Sequence, residues 1–339
     1  MKVLLYDDTP AYLTHGGKQV LAQKLHDGLR ALGVDVDYAR WWDPAQKCDL
    51  LHLFSLSPAM VWAARQAGVK VILTQIVDRL ANLSESKRFY RQVLGYGIRN
   101  FLPSSVFRRF SWSVLSELDA LVYVHKYDAE AAVRIYGAPR AKTAIIPHGC
   151  DVEQLSLLQA GVRNRHSYLI SIGSIVPRKN SVLLAKAARR AEIPVVFLGK
   201  PFSEASSYYK EFCQLVDNKN VVYAGHVSEQ AKIRWLTEAS GFVLLSGAES
   251  GCIAAYEAAA ARLPMLLSNL PWAHAYGENI AVQYVDLRSE ERLAARLKSF
   301  FATSQRLEGM TFPVMTWEDI AGQYLDVYKR VLGVGPSDG

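Results

Sequence analysis

The chain has 339 residues, 50% of them apolar and 21% charged, with 22 glycines and 13 prolines, a composition that excludes a disordered or fibrous protein. No run approaches the roughly 18 uninterrupted apolar residues of a membrane-spanning helix. The four cysteines, Cys48, Cys150, Cys213 and Cys252, stand far apart with no CxxC pair, which argues against a disulfide framework and a Cys-built metal cage.

Length predicts two domains. The chain opens directly on the alternating stretch Lys2 to Tyr6, followed by Asp7 and Asp8. No basic and apolar leader precedes it, so secretion is not expected. Further strand-like runs follow at Val34 to Tyr38, Leu50 to Phe54, Val69 to Thr74, Ala120 to Val124 and Thr143 to Ile146, with helical patterns such as Gly17 to Leu32 between them. This alternation predicts a parallel sheet covered by helices on both faces.

The formal net charge of +7 is concentrated between residues 79 and 109. Seven basic side chains (Arg79, Lys87, Arg88, Arg91, Arg99, Arg108, Arg109) stand there against one acid, Glu85. Tyr90, Val93, Leu94, Ile98, Phe101 and Leu102 recur at helical spacing with Arg88, Arg91, Gln92 and Arg99 on the other side, and Phe107, Phe110 and Trp112 follow after Pro103. Two readings fit: a core helix with a basic solvated face, and a surface resting on anionic lipid. No nucleic-acid recognition motif accompanies the patch, so nucleic acid is not expected as a partner.

A turn at Pro147 to Gly149 and the polar, strand-poor stretch after it read as a linker, residues 149–167, between domains at 1–148 and 168–316. The pattern then restarts, with strands at Tyr168 to Ile172, Val195 to Leu198, Val221 to Tyr223, Gly241 to Leu245, Met265 to Ser268 and Val282 to Val285. The fold expected is α/β, with two doubly wound halves facing a cleft. Ligands of such sheets bind at the carboxyl ends of the strands, so the loops after strands hold the candidates.

Three familiar motifs fail there. GSIVPRKN (Gly173 to Asn180) has Arg178 and Asn180 where a phosphate loop of the Walker type needs Gly and Ser or Thr. DDTPAYLTHGG after the first strand is not the dinucleotide fingerprint GxGxxG. Ser246 does not lie in GxSxG, and no Ser, His and Asp set is recognisable. What remains is an anion site. A Gly-led loop carrying Arg178 and Lys179 enters a helix near Ser181, and SGAESGCIAAYEAAAAR places Glu249 before a second helix and Glu257 inside it. The eight-residue separation corresponds to roughly 12 Å of helical rise, a span that could bracket a diphosphate.

At these residues the sequence resembles the retaining, two-domain GT-B glycosyltransferases of family 4. Gly16 and Gly17 before a helix look like that family's Gly-Gly loop, and IIPHGCD (Ile145 to Asp151) like its IPxGVD segment. GHVSEQAKIRWLTEASGFVLLSGAES (Gly225 to Ser250) follows its approach to the first glutamate, Glu249 and Glu257 match E-x7-E, and residues 317–333 resemble its terminal helix, which crosses back onto the first domain.

The resemblance implies transfer of a hexose-type sugar from a UDP- or GDP-sugar to a glycan or lipid-linked acceptor, with retention. It also implies a place in cell-surface polysaccharide or lipopolysaccharide assembly at the cytoplasmic face of a membrane, with no cofactor and no metal. Glu249, Lys179 and Arg178 would carry the chemistry, with Gly16, Gly17, Ser174, His226, Val227, Ser250, Gly251, Cys252, Ile253 and Glu257 around the donor, the amides of Gly251, Cys252 and Ile253 donating to its diphosphate. His15 and His125 are acceptor-side candidates. The chain departs from the family at Ser174, where Arg is usual, at Cys252, where Gly is frequent, and near TQIVD (Thr74 to Asp78), which lacks a His. A silent nucleotide- or partner-binding relative and a nucleotide-sugar 2-epimerase of similar fold are the alternatives.

Overall fold

A computed structural model describes residues 1–9, 16–40, 42–75, 82–160, 167–277, 281–307 and 312–334. The chain divides into two compact units, residues 1–149 with 315–339, and residues 150–314.

The first unit opens with β1 (Lys2–Tyr6), α1 (Gly17–Ala31), β2 (Asp35–Tyr38), β3 (Leu50–Leu53), α2 (Pro58–Gln66), β4 (Lys70–Thr74) and α3 (Glu85–Phe101). Next come β5 (Ala120–Tyr123), α4 (Lys126–Ala131), β6 (Thr143–Ile145) and the short β7 (Gly149–Cys150). Strands β1 to β6 form one parallel sheet in the order β2-β1-β3-β4-β5-β6. The buried residues of the central strands β3, β4 and β5 are apolar apart from His52 and Thr74 because helices cover both faces, and all four residues of β3 and of β5 are buried.

The second unit runs α5 (Val152–Ala160), β8 (Leu169–Ile172), α6 (Ser181–Ala191), β9 (Val195–Leu198), α7 (Ser207–Leu215), β10 (Val221–Gly225) and α8 (Glu229–Glu238). It continues with β11 (Gly241–Leu244), α9 (Ile253–Ala260), β12 (Met265–Ser268), β13 (Val282–Val285) and α10 (Glu290–Ser304). The sheet is again wholly parallel, in the order β10-β9-β8-β11-β12-β13, so the expectation of two doubly wound sheets is met. The stretch expected as a linker differs: residues 152–160 form α5, whose Gln154 and Leu158 are buried in the second unit. Its apolar residues are spread round the helix, with Val152 and Leu157 exposed and Leu158 buried, so periodicity marks no packed face.

The chain returns through β14 (Met315–Thr316) to α11 (Trp317–Leu332), which belongs to the first unit. A reciprocal capping box starts this helix: the Asp319 amide donates to Thr316 Oγ1 at 3.1 Å, and the Thr316 amide donates to the Asp319 carboxylate at 3.0 Å. Trp317, Ile320, Tyr324 and Tyr328 are buried. Two of these tyrosines close a polar chain through the sheet. Tyr328 Oη lies 2.6 Å from His52 Nδ1, His52 Nε2 lies 2.8 Å from Thr74 Oγ1, and Thr74 Oγ1 lies 3.1 Å from Tyr324 Oη.

Helix α3 is attached differently from the rest. The position a Cβ on Gly95 would occupy is 2.1 Å from the Ile135 carbonyl oxygen, and Arg99 Nη1 donates to that same oxygen at 2.7 Å. Only a glycine permits so close a crossing. The rest of the helix stands clear: Phe89 (69% exposed), Tyr90, Val93, Leu94, Tyr96 and Phe101 (79% exposed) all face out. A core helix would bury this stripe, so that reading is overturned. Phe107, Phe110 and Tyr136 instead gather round Trp112, edge-on or tilted, with ring centroids 5.3 to 5.4 Å from its own.

Three histidines of the first unit are buried and held neutral. Desolvation pushes His52 and His148 down to about 3 and His125 down to about 4, with His125 adding to the effect at His148. Their folded values lie below the unfolded one, so the stability they lend is complete above about 6.5 and is lost as pH falls toward their folded values. Denaturant titrations from pH 7 to pH 4 are expected to show falling stability, with a shallower pH slope in His52→Asn.

Candidate active site

The carboxyl end of β8 in the second unit leads into Gly173 and Ser174, a single turn at Pro177–Lys179, and α6. Asn180, at φ +53°, makes the left-handed corner between them, a conformation asparagine tolerates better than most residues. Three contacts fasten this basic loop to the one after β11. The Gly247 amide donates to the Arg178 carbonyl at 2.8 Å, Asn180 Nδ2 donates to the Leu245 carbonyl at 2.7 Å, and Arg178 Nη1 donates to the Ala248 carbonyl at 2.5 Å. The β11 loop is fixed in turn by Ser268 Oγ and Trp272 Nε1, which both donate to the Ser246 carbonyl. Gly199, at φ +137°, lies against the first loop; a Cβ there would come within 2.1 Å of the Gly173 carbonyl oxygen.

On this frame Arg178, Lys179 and Glu249 converge. Lys179 Nζ lies 2.6 Å and Arg178 Nη1 3.0 Å from Glu249 Oε1. Burial raises the Glu249 carboxyl, which is only 6% exposed, but the two cations outweigh it and hold the group below its ordinary value. An ammonium carries three donors, and the Glu249 contact aims Lys179 while leaving donors for an incoming anion.

Glu257 lies on α9. That helix starts only at Ile253, so Glu257 sits just over one turn inside it, and helical rise does not set its distance from Glu249. Its carboxylate is engaged: Lys232 Nζ on α8 lies 2.6 Å and Gln154 Nε2 on α5 3.0 Å from Oε1. Lys232 also pairs with Glu229 at 2.7 Å. Burial pulls this ammonium down, but Glu257 and Glu229 push it above its ordinary value. Neither Lys232 nor Gln154 stands out in the sequence. A lysine between Ala231 and Ile233, three residues after Glu229, reads as one more solvated helix position, and Gln154 falls in the stretch expected as a linker.

The remaining expected residues separate. Ser174, Ser250, Gly251, Cys252 and Ile253 lie on the two fastened loops and the start of α9. The Cys252 amide, expected as a donor to phosphate, is instead spent on Tyr276 Oη at 3.1 Å. His226 is exposed after β10, and Val227 packs partly into the core. Gly16 and Gly17 lie in the first unit, at the start of α1. His125 is buried at the start of α4 and presents no open ring. His15 lies outside the described residues. Among the described residues no group of three or more His, Cys, Asp and Glu is arranged to hold a metal ion, and no helix is long and apolar enough to cross a membrane.

Glu249 is buried and paired with two cations, which makes its substitution a stability test as well. Glu249→Gln leaves Lys179 short of its partner and is expected to cost about 3 kcal/mol in chemical denaturation. The pair Glu249→Gln with Lys179→Met is expected to cost less than the two single changes added.

No curated protein matches the sequence. Among solved structures, a glycosyltransferase from Rickettsia africae is 13% identical, covering 98% of this chain and 99% of its own, with a TM-score of 0.68. The Anabaena protein HepE, in complex with UDP and glucose, is 14% identical over 98% of both chains, with a TM-score of 0.66. Sucrose-phosphate synthase from Thermosynechococcus elongatus is 15% identical over 99% of this chain and 100% of its own, with a TM-score of 0.67. At such identities the likeness shows the fold, the GT-B type with two Rossmann-like units. The sequence itself speaks through the second unit: residues 159–308, which hold Arg178, Lys179, Glu249 and Glu257, match the family model of the glycosyl transferases group 1.

Proposed function

We propose that the chain transfers a hexose-type sugar from a UDP- or GDP-sugar to a glycan or lipid-linked acceptor with retention at the anomeric carbon, in the assembly of a cell-surface polysaccharide or lipopolysaccharide. The observation that carries this reading is the convergence of Lys179 and Arg178 on Glu249, on two loops fastened together at the carboxyl ends of parallel strands. In the proposed reaction the bond between C1 and the diphosphate oxygen breaks and the acceptor oxygen bonds to C1 on the same face. The acceptor proton passes to the departing phosphate. Lys179 and Arg178 stabilise the charge that gathers on the leaving group, in positions set before the donor arrives. Glu249 orients Lys179 and accepts hydrogen bonds from sugar hydroxyls, while Glu257, held by Lys232 and Gln154, faces the ribose. The UDP and glucose bound by HepE are consistent with such a donor.

Lys179→Ala is expected to lower the rate of release of nucleoside diphosphate from the donor by about 10²- to 10³-fold, as for loss of one oxyanion donor. A panel of UDP- and GDP-sugars, followed by product analysis, checks this. Near wild-type turnover would remove Lys179 from the site, and release of a free nucleotide with a 2-epimerised sugar would mark the epimerase instead.

An anionic membrane surface is the proposed location, reached through α3 and the segment after it, within residues 79–112. The exposed stripe of Phe89, Tyr90, Val93, Leu94 and Phe101 is flanked by Lys87, Arg88 and Arg91. Apolar insertion combined with charge attraction of about 1 kcal/mol per basic side chain suits reversible attachment. The face proposed is the cytoplasmic one, where the acceptor would be lipid-linked. Co-sedimentation with anionic vesicles is expected at low salt and lost at high salt. Changing Arg88, Arg91, Arg108 and Arg109 to Gln is expected to abolish it without altering donor hydrolysis; wild-type protein left in the supernatant at low salt would favour a soluble acceptor.

A further inference from the structure

A second concave site lies wholly in the first unit, and none of the residues lining it is among those assigned to the donor. It is a cavity of about 750 Å³ at the carboxyl ends of β1 and β2, walled on one side by α1. Ligands of open parallel sheets gather where the strand order reverses, which in this sheet is between β1 and β3. The cavity is displaced one strand toward the edge, so the general topology does not account for it. Its volume is within the range of small-molecule sites.

The lining has two chemical characters. One wall is aromatic: the rings of His26 and Tyr38 stack with centroids 4.9 Å apart and planes within 15°, and Trp42, 65% exposed, stands beside them. The other is polar. Gln19, Gln23 and Asp27 follow one another along one face of α1 at four-residue spacing, and Asp7 lines the cavity from the end of β1. Flat rings offer a surface to apolar C–H groups, whereas amides both donate to and accept from hydroxyls and carboxylates accept from them. A pyranose has both a C–H face and a rim of hydroxyls. The charge narrows the choice further: Asp7, Asp8 and Asp27 line the cavity, with Lys18 paired to the first two and His26 to the third. This excess of carboxylate, in a chain of net charge +7, repels phosphates and uronic acids.

We infer that the cavity is a carbohydrate subsite for an uncharged or amino-bearing hexose. Resting on the transferase reading, its occupant is a sugar of the acceptor glycan. Trp42 and Tyr38 form the platform, and Gln19, Gln23 and Asp27 read the hydroxyls.

The test is saturation-transfer NMR on the full chain with methyl glucoside, methyl glucosaminide and methyl glucuronide. Transfer to the ring C–H protons of the first two is expected, and weaker transfer to the glucuronide. Trp42→Ala, at an exposed position, is expected to weaken binding of the neutral hexosides about threefold to tenfold, whereas Phe89→Ala on α3 leaves it unchanged. No transfer from wild-type protein at millimolar hexoside, equal transfer in Trp42→Ala, or preference for the glucuronide would each overturn the assignment. Donor hydrolysis measured on the same samples separates the two readings. Hexoside binding without donor turnover keeps the subsite and removes the transferase, and turnover without hexoside binding does the reverse.

Discussion

A single buried carboxylate organises the second unit's site. Glu249 could not remain charged at its depth unless cations met it, because moving an ion out of water costs several kcal/mol per group. Lys179 and Arg178 meet it from a loop much earlier in the chain, so the ion cluster and the backbone bonds between the two loops depend on one another. Preorganisation follows: the cations are already aimed before a substrate arrives, and their positions are maintained by groups that would otherwise be left unsatisfied. The second carboxylate repeats the device on α9, with Lys232 and Gln154 as its partners.

Much of this frame is legible in the sequence because parallel strands buried on both faces must be apolar throughout. Runs such as Val195 to Leu198 and Gly241 to Leu244 leave little choice of structure. Glu249 and the Arg-Lys loop are also visible, since they lie in loops that follow such strands, where ligands of parallel sheets bind, and Glu257 is legible through its spacing from Glu249. Partnerships were less visible. Lys232 meets Glu257 across 25 residues, and Gln154 meets it across 103, and neither pairing follows from local periodicity. The Cys252 amide looked like a donor to an anion because amides at a helix start are unpaired within the helix; Tyr276, 24 residues later, satisfies it.

The basic segment taught the reverse lesson. Periodicity correctly identified α3 but not which way its apolar stripe faces, since helical spacing says that one face differs from its opposite and not what covers it. Gly95 decides the matter. Its contact with the Ile135 carbonyl puts the Gly95 and Arg99 side of the helix against the unit and leaves the aromatic side outward.

The return of α11 to the first unit makes that unit discontinuous along the chain, with residues 150–314 inserted between its parts. The buried chain from His52 to Tyr328 joins residues 276 positions apart. During synthesis, when the amino-terminal portion of a chain ordinarily folds first, this order is reversed. The second unit is contiguous and has all its residues once position 314 has emerged. The first unit waits for α11, with His52 and Thr74 lacking their tyrosine partners until position 328 has emerged.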